Sequence, residues 1–505
     1  MTISADTHTT FPPGPKPLPL LGNLLAFRRN PLEYLQHLQQ TYGNMATVHF
    51  GTMPFVVLFR PEHVRYVLTE NPRNFTSAEF NLELRELIGD GLLTLDGEVH
   101  RQQRRLAQPA FHKKRVESYA GIMVQHTEEM LKGWHAGERI DVASAMQQLT
   151  MRIVAQCLFN VNLADQVDSL GGAFTAMINN PITLTEGFLR LRLDLPITSY
   201  GRRMAAKRIV DAFIYDLVAR RRAEGGDVGD VLSMLLAARD DDGTLTDIQV
   251  HDHLLTFFAA GHETTANALT WTFHLLSQYP AEREKLLAEL QTVLAGRTPT
   301  VDDLPNLPYT EWVLNESMRL YPPAWLLGRR AIEAFDLDGI HFPAGTMVMF
   351  SQWVIHRLPD IWNDAEVFQP DRWDPARRGR FTAPTADSSA PVAQNSLSTP
   401  WSYFPFGGGP RICIGMPFAQ LEARLLLATI LQHYLPFTAP GFRAEPDPLI
   451  TLRPKNGLQS ILMPITTNTE GSSRLLLQLP GAQQGSSARK GRSGLIGNWF
   501  RFLRR

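Results

Sequence analysis

The stretch Phe406-Gly407-Gly408-Gly409-Pro410-Arg411-Ile412-Cys413-Ile414-Gly415 constrains this chain more than any other. Its glycines permit positive φ and let the backbone approach a bulky ligand that side chains would hold off. The loop presents a single sulfur and then runs into an apolar segment, 416 to about 433, that reads as a helix. A cysteine just ahead of a helix N-terminus meets free N–H groups and partial positive charge, which favour the thiolate. Taken alone, one cysteine beside a loop can equally be a packed core residue.

The chain has 505 residues, a net charge of −1 and 44% hydrophobic residues, enough for a large core. Length alone suggests several domains at roughly 150 residues each. The motifs below argue instead for one, because residues far apart in sequence must meet around one group. The near-neutral charge gives no case for nucleic acid. Cys157 and Cys413 are the two cysteines, which excludes a disulfide framework and a Cys₃ or Cys₄ metal site. Cys157 lies in the apolar run Ile153-Val154-Ala155-Gln156-Cys157-Leu158-Phe159 and reads as core. The N-terminus is polar, then proline-rich, without the basic and apolar segments of a signal peptide. No stretch approaches ~18 consecutive apolar residues, so no membrane span is expected, and the expected compartment is cytoplasmic.

Prolines between 12 and 19 set an extended course, followed by a helix over 31–42 and a hairpin of strands 45–50 and 55–59. In the segment Glu98 to Arg105, His100 and Arg104 are four apart and share one helix face, where two donors can clamp an anion. Residues 115–240 are mostly helical, with breaks at Pro181 and Pro196, and read as the roof of a pocket. Thr246-Asp247-Ile248-Gln249 is a capping box opening a helix that runs to Gln278, roughly 48 Å long at 1.5 Å per residue. Midway lies Ala259-Ala260-Gly261-His262-Glu263-Thr264-Thr265. A mid-helix glycine costs ~1 kcal/mol, and hydroxyls compete for backbone carbonyls, so the helix can open a groove there. An acid beside a threonine can then relay protons. His262-Glu263 also begins H-E-x-x-H, but Ala266 stands where the second histidine should be, and the zinc reading fails. Glu316 and Arg319 share a helix face before Tyr321-Pro322-Pro323; such pairs alone are usually exposed and weak.

Together, F-x-x-G-x-x-x-C-x-G with Arg411 two residues before the sulfur, A-G-x-E-T-T, E-x-x-R followed by Y-P-P, and Phe368-Gln369-Pro370-Asp371-Arg372-Trp373 resemble the cytochrome P-450 superfamily of haem-thiolate monooxygenases. The resemblance spans about 11–465. It implies a mainly α fold with a smaller β region (α+β), a helix-rich prism around a buried haem b (iron protoporphyrin IX). It implies Cys413 as the metal ligand, pushing electron density onto iron to favour O–O cleavage. His100, Arg104, Arg329 and Arg411 would hold the propionates, with Phe406 and Gly415 also touching the cofactor. Glu263 and Thr264 would handle oxygen activation. Glu316, Arg319 and Arg372 would form a buried structural triad holding the cysteine loop. Phe80, Leu84, Leu87, Phe258, Ala259, Trp325, Leu326, Leu327 and Ile450 would line an apolar substrate pocket.

The implied reaction inserts one atom of O2 into a C–H bond of a lipophile such as a fatty acid or terpenoid, with a lean toward the fatty-acid-hydroxylating branches. No flavin or nicotinamide segment is present, so electrons would come from a separate ferredoxin, flavodoxin or reductase. The surplus cations Arg101, Arg105, Lys113, Lys114 and Arg115 could steer an acidic donor, or simply form a solvated face. A peroxide-driven peroxygenase or isomerase is the alternative enzyme, though such relatives tend to lose the acid–alcohol pair. A haem-based sensor would need an output domain. Residues 376–400, rich in Ser, Ala, Pro and Thr, read as a low-complexity insert, 1–10 as a disordered N-terminus, and 466–505 as a disordered tail. The basic, aromatic end 494–505 could make weak contact with a membrane surface or a partner, or be a frayed terminus.

Overall fold

The long helix Asp247–Gln278 is the axle of the molecule, a computed structural model that describes residues 11–77, 82–161, 170–179, 192–240, 243–377, 401–467 and 473–475. Both halves of its capping box form: Thr246 Oγ1 accepts from the Gln249 N–H at 3.3 Å, and the Thr246 N–H donates to Gln249 Oε1 at 2.8 Å. The helix stops where Pro280 opens the next one, Pro280–Leu294. Leu254, Leu255, Phe258, Leu269, Phe273 and Leu276 are all fully buried, so the helix has no solvent face along most of its length. It packs against Val142–Phe159, Ser199–Glu224, Pro308–Leu320 and Met416–Ile430. A helix apolar on every side belongs in the middle of a large core. Of the expected insert 376–400 only 376–377 are described, and of the expected disordered tail 466–505 only 466–467 and 473–475, which pair as antiparallel strands rather than being disordered; 1–10 and Phe80 lie outside the described residues.

A five-stranded sheet flanks this helical body, in the order Met45–Phe50, Met53–Leu58, Met347–Phe350, Leu327–Ala331, Phe75–Thr76. The 45–58 hairpin forms as its pattern predicts. Leu327 begins the strand Leu327–Ala331, and Val348 pairs with Arg329, which sets that arginine within the sheet.

The short apolar segments 449–452 and 457–463, whose pattern and separation predict a hairpin, do not pair with each other. Pro446–Pro448 pairs with Leu452–Pro454 as a short ribbon, and Gln459–Thr467 pairs with Tyr434–Thr438 and Arg139–Asp141. Pro446, Pro448 and Pro454 lack N–H donors, so the ribbon cannot extend its ladder. Asp141 Oδ1 meanwhile takes the Leu458 N–H at 2.8 Å and captures the following strand. Among the described residues no helix is long and apolar enough to cross a membrane.

Candidate functional site

The cysteine loop is built by its glycines. Gly409 has φ +64°, and a Cβ there would lie 1.8 Å from the Leu68 carbonyl oxygen, so only glycine lets the loop pass. The Cys413 N–H donates to Phe406 O at 3.0 Å, and the Gly407 N–H to Phe404 O at 2.9 Å. The sulfur accepts from the N–H groups of Gly415 and Met416 at the start of the helix Met416–Ile430. Cys413 is accessible to water, with protein atoms packed around the sulfur. Burial pushes the thiol up, while the Gly415 amide, Arg104 and the Met416 amide pull the other way. Even an added methyl on Gly415 would come no nearer to Sγ than 3.9 Å.

Beside the loop lies a cluster of cations. His100 is buried, and burial together with Arg411 and Arg104 pushes it down to about 4, so it is neutral near pH 7. Arg329 is held to about 10, first by burial and then by Arg411. Arg411 donates to Asp96 Oδ1 at 2.7 Å and to Leu95 O at 2.6 Å. Three guanidinium groups thus gather around His100 with one carboxylate, Asp96, leaving an excess of two positive charges. Haem b brings one iron for a soft sulfur and two propionates for such a surplus; the donor set fits it.

On the long helix, Thr264 Oγ1 donates back to Ala260 O at 2.8 Å, the competing bond expected of a mid-helix threonine. Glu263 is buried, and its Oε1 accepts from Thr451 Oγ1 at 2.7 Å. His262 turns elsewhere: its Nδ1 contacts Phe258 O at 2.8 Å. No group of three His, Cys, Asp or Glu side chains that could hold a metal occurs among the described residues.

Glu316, Arg319 and Arg372 meet, buried. Arg319 donates to Glu316 Oε1 at 2.8 Å and Oε2 at 2.9 Å, and Arg372 Nε donates to Oε1 at 2.8 Å. Trp373 Nε1 at 3.0 Å and the Gln369 N–H at 3.0 Å complete the shell around the carboxylate. Burial works to raise the Glu316 pKa, but Arg319 and Arg372 outweigh it and hold the group below the usual carboxylate range. From here a chain of bonds reaches the cysteine loop. Arg319 Nη1 donates to His356 O at 2.9 Å, and His356 Nε2 accepts the Phe404 N–H at 3.1 Å. Sequence reasoning missed His356, because no motif marks it. Its ring is kept neutral by burial, then by Arg319 and Arg357, as an acceptor must be.

The expected pocket residues divide. Leu84, Ala259, Leu326 and Leu327 keep partial exposure, and Ile450 is 45% exposed. Phe258, Leu87 and Trp325 are buried. Phe258 is fully buried between Phe174, with ring centroids 4.0 Å apart, and Phe159 at 5.8 Å. One residue is about 100° of helical turn, which puts it on a different face from Ala259. Trp325 packs near Phe27 and donates to Leu449 O at 2.9 Å. Of the surplus cations, Arg101 and Arg105 line a concavity of about 610 Å³ together with Arg104, Gln108, Pro109, His112 and Pro410 of the cysteine loop. Arg115 instead engages Asp227 and the Gly229 carbonyl.

The chain is similar to known proteins. The family model "Cytochrome P450" matches residues 12–461. Cyclooctatin synthase of Streptomyces melanosporofaciens is 36% identical over 459 residues, covering 88% of this chain and 93% of that protein. Pentalenene oxygenase of Streptomyces avermitilis is 34% identical over 448 residues, covering 88% and 95%. The structure "Retinoic acid bound cyanobacterial CYP120A1" superposes with a TM-score of 0.78 at 27% identity, covering 91% of this chain and all of that one. Members of this family bind haem b through a cysteine thiolate. The chain belongs to the cytochrome P450 family and is a haem monooxygenase.

Proposed function

We propose that the enzyme hydroxylates a cyclic terpenoid, with Cys413 as the haem ligand and His100, Arg104, Arg329 and Arg411 as the propionate clamp. The observation that carries this reading is the Cys413 sulfur, held by two helix amides beside a cluster with two surplus positive charges. When bound, haem supplies the reduction of O2 and the transfer of one oxygen atom to carbon. The chain's own residues do the rest. Gly415 and Met416 amides stabilise the thiolate. Glu263 delivers protons and Thr264 directs them, its hydroxyl able to leave Ala260 O for a new partner. Glu316, Arg319 and Arg372 keep the loop in register through His356.

The relatives' names, cyclooctatin synthase and pentalenene oxygenase, support a terpenoid over a fatty acid. Leu84, Ala259, Leu326, Leu327 and Ile450 would present an apolar surface to it. Such a surface holds a hydrocarbon by area rather than by directed bonds. Electrons come from a separate acidic ferredoxin or flavodoxin docked at Arg101 and Arg105, where Pro410 brings the cysteine loop to the same concavity. A cytoplasmic location, shared with such a donor, is part of the same proposal. A haem optical-shift titration with pentalenene, retinoic acid and palmitic acid tests the substrate class. An isoprenoid that gives a saturable shift while palmitic acid gives none is expected; the reverse overturns it.

A further inference from the structure

Glu263, Asn267 and Trp271 are spaced four apart and stack on one face of the long helix. All three bond to one turn of chain, 449–452. Trp271 Nε1 donates to Leu452 O at 3.1 Å, Asn267 Nδ2 donates to Thr451 Oγ1 at 3.0 Å, and Thr451 Oγ1 donates to Glu263 Oε1 at 2.7 Å. The turn is held from its other side as well. Trp325 Nε1 donates to Leu449 O at 2.9 Å, and the Leu452 N–H donates to Pro323 O at 2.9 Å. Thr451 is buried, as are Asn267 and Glu263.

The direction of these bonds follows from donor chemistry. The amide nitrogen of Asn267 can only donate, so the Thr451 oxygen accepts from it and its own hydrogen is free for Glu263. Were the Asn267 amide reversed, the Thr451 hydrogen would be drawn to Asn267 and two acceptors would face each other at Glu263. The hydroxyl therefore fixes one carboxylate oxygen. Glu263 makes no other hydrogen bond to a described side chain. Losing this contact would leave the terminal torsion of Glu263, broad by nature, with nothing to set it.

We propose that Thr451 is a positioning residue for the Glu263 carboxylate, holding it in the orientation from which it passes protons toward bound oxygen. Asn267 orients Thr451 in turn. This rests on the assignment of Glu263 as the proton donor given above. The turn 449–452 is thus part of the proton machinery as well as of the pocket wall, although it lies far along the chain from the long helix. A threonine hydroxyl serves both protonation states of the acid, donating to the carboxylate and accepting from the protonated carboxyl.

Haem-loaded full-length protein and the variants Thr451→Val, Thr451→Ser, Glu263→Ala and Thr451→Val/Glu263→Ala supply the test, in two measurements. The first is urea unfolding. Hydrogen bonds to charged groups contribute about 1.5–3 kcal/mol, so Thr451→Val should lower the folding equilibrium constant about tenfold or more in the wild-type background, and much less when Glu263 is already alanine. The second is donor-driven O2 consumption across pH, with a plant-type ferredoxin and its reductase. Misplacing a general acid by ~1 Å can cost about a hundredfold. Thr451→Val should therefore slow consumption at least tenfold and change its pH profile, while Thr451→Ser stays within about twofold of wild type. An equal stability cost in both backgrounds overturns the inference, and so does a Thr451→Val enzyme with wild-type rate and pH profile. A Glu263→Ala enzyme that consumes O2 like the wild type marks a different failure: the proton-donor assignment falls, and the inference with it.

Discussion

Replacing Glu316 with glutamine removes the one negative charge that two buried guanidinium groups share. Arg319 is completely buried and Arg372 nearly so, and each makes its ion-pair contact to Glu316 at 2.8 Å. Breaking a buried pair by removing one partner typically costs about 3–5 kcal/mol, because the remaining charges stay out of water uncompensated. Against a total stability of about 5–15 kcal/mol this is a large fraction. Arg372→Met makes the comparison, since it leaves the Arg319–Glu316 pair intact and should cost only about 1–3 kcal/mol. Equilibrium urea unfolding followed by both far-UV circular dichroism and Soret absorbance is the assay. The Soret signal should fail at lower urea than the helical signal, because Arg319 also supports His356 and, through it, the Phe404 N–H at the start of the cysteine loop. A Glu316→Gln protein within ~1 kcal/mol of wild type, or one whose two signals fail together, would refute this reasoning.

Gly409→Ala adds a Cβ at 1.8 Å from Leu68 O and forces a side chain into φ +64°, itself worth about 1–2 kcal/mol. The expected product keeps its far-UV spectrum and loses haem; full haem loading would count against it. Arg411→Met removes one charge of the surplus, and haem transfer to excess apomyoglobin should quicken roughly ten- to a hundredfold, on the value of a charge-assisted bond. An unchanged transfer rate would exclude Arg411 from the clamp. His253 is buried with neither ring nitrogen partnered among the described residues, and burial pushes it down to about 4. Its folded pKa lies below the ~6.5 of the unfolded chain, so the neutral ring's stability is intact above that value and is lost as pH falls from about 6.5 toward 4, by up to about 3 kcal/mol. His253→Phe should flatten that part of the stability–pH curve, and a curve of unchanged slope would show the ring to be solvated.

What could be read in the sequence was whatever is local. The capping box at Thr246 and Gln249, the stop at Pro280 and the glycine loop around Cys413 are short-range devices, and each forms as its residues dictate. The triad was accessible too, because the second arginine sits in its own short motif. Three things were not. The face that Phe258 takes is one, because the long helix is buried along most of its length and the packing of Phe258 between Phe159 and Phe174 leaves no mark in the spacing. His356 and Thr451 act through single long-range bonds, to Phe404 and Glu263, that no spacing announces. The pairing of Gln459–Thr467 depends on which strand lies nearest in space, and only the prolines of the 446–454 ribbon, which exclude the nearer choice, hint at it.

The most direct test of the central claim is the carbon monoxide difference spectrum of the ferrous protein, recorded for the wild type and for Cys413→Ser. The wild type should show the red-shifted Soret band of thiolate-ligated haem, and Cys413→Ser should lose it. A Cys413→Ser protein that keeps the band, or a wild type whose band lies at the imidazole-ligated position, would contradict the assignment of Cys413 as the iron's ligand.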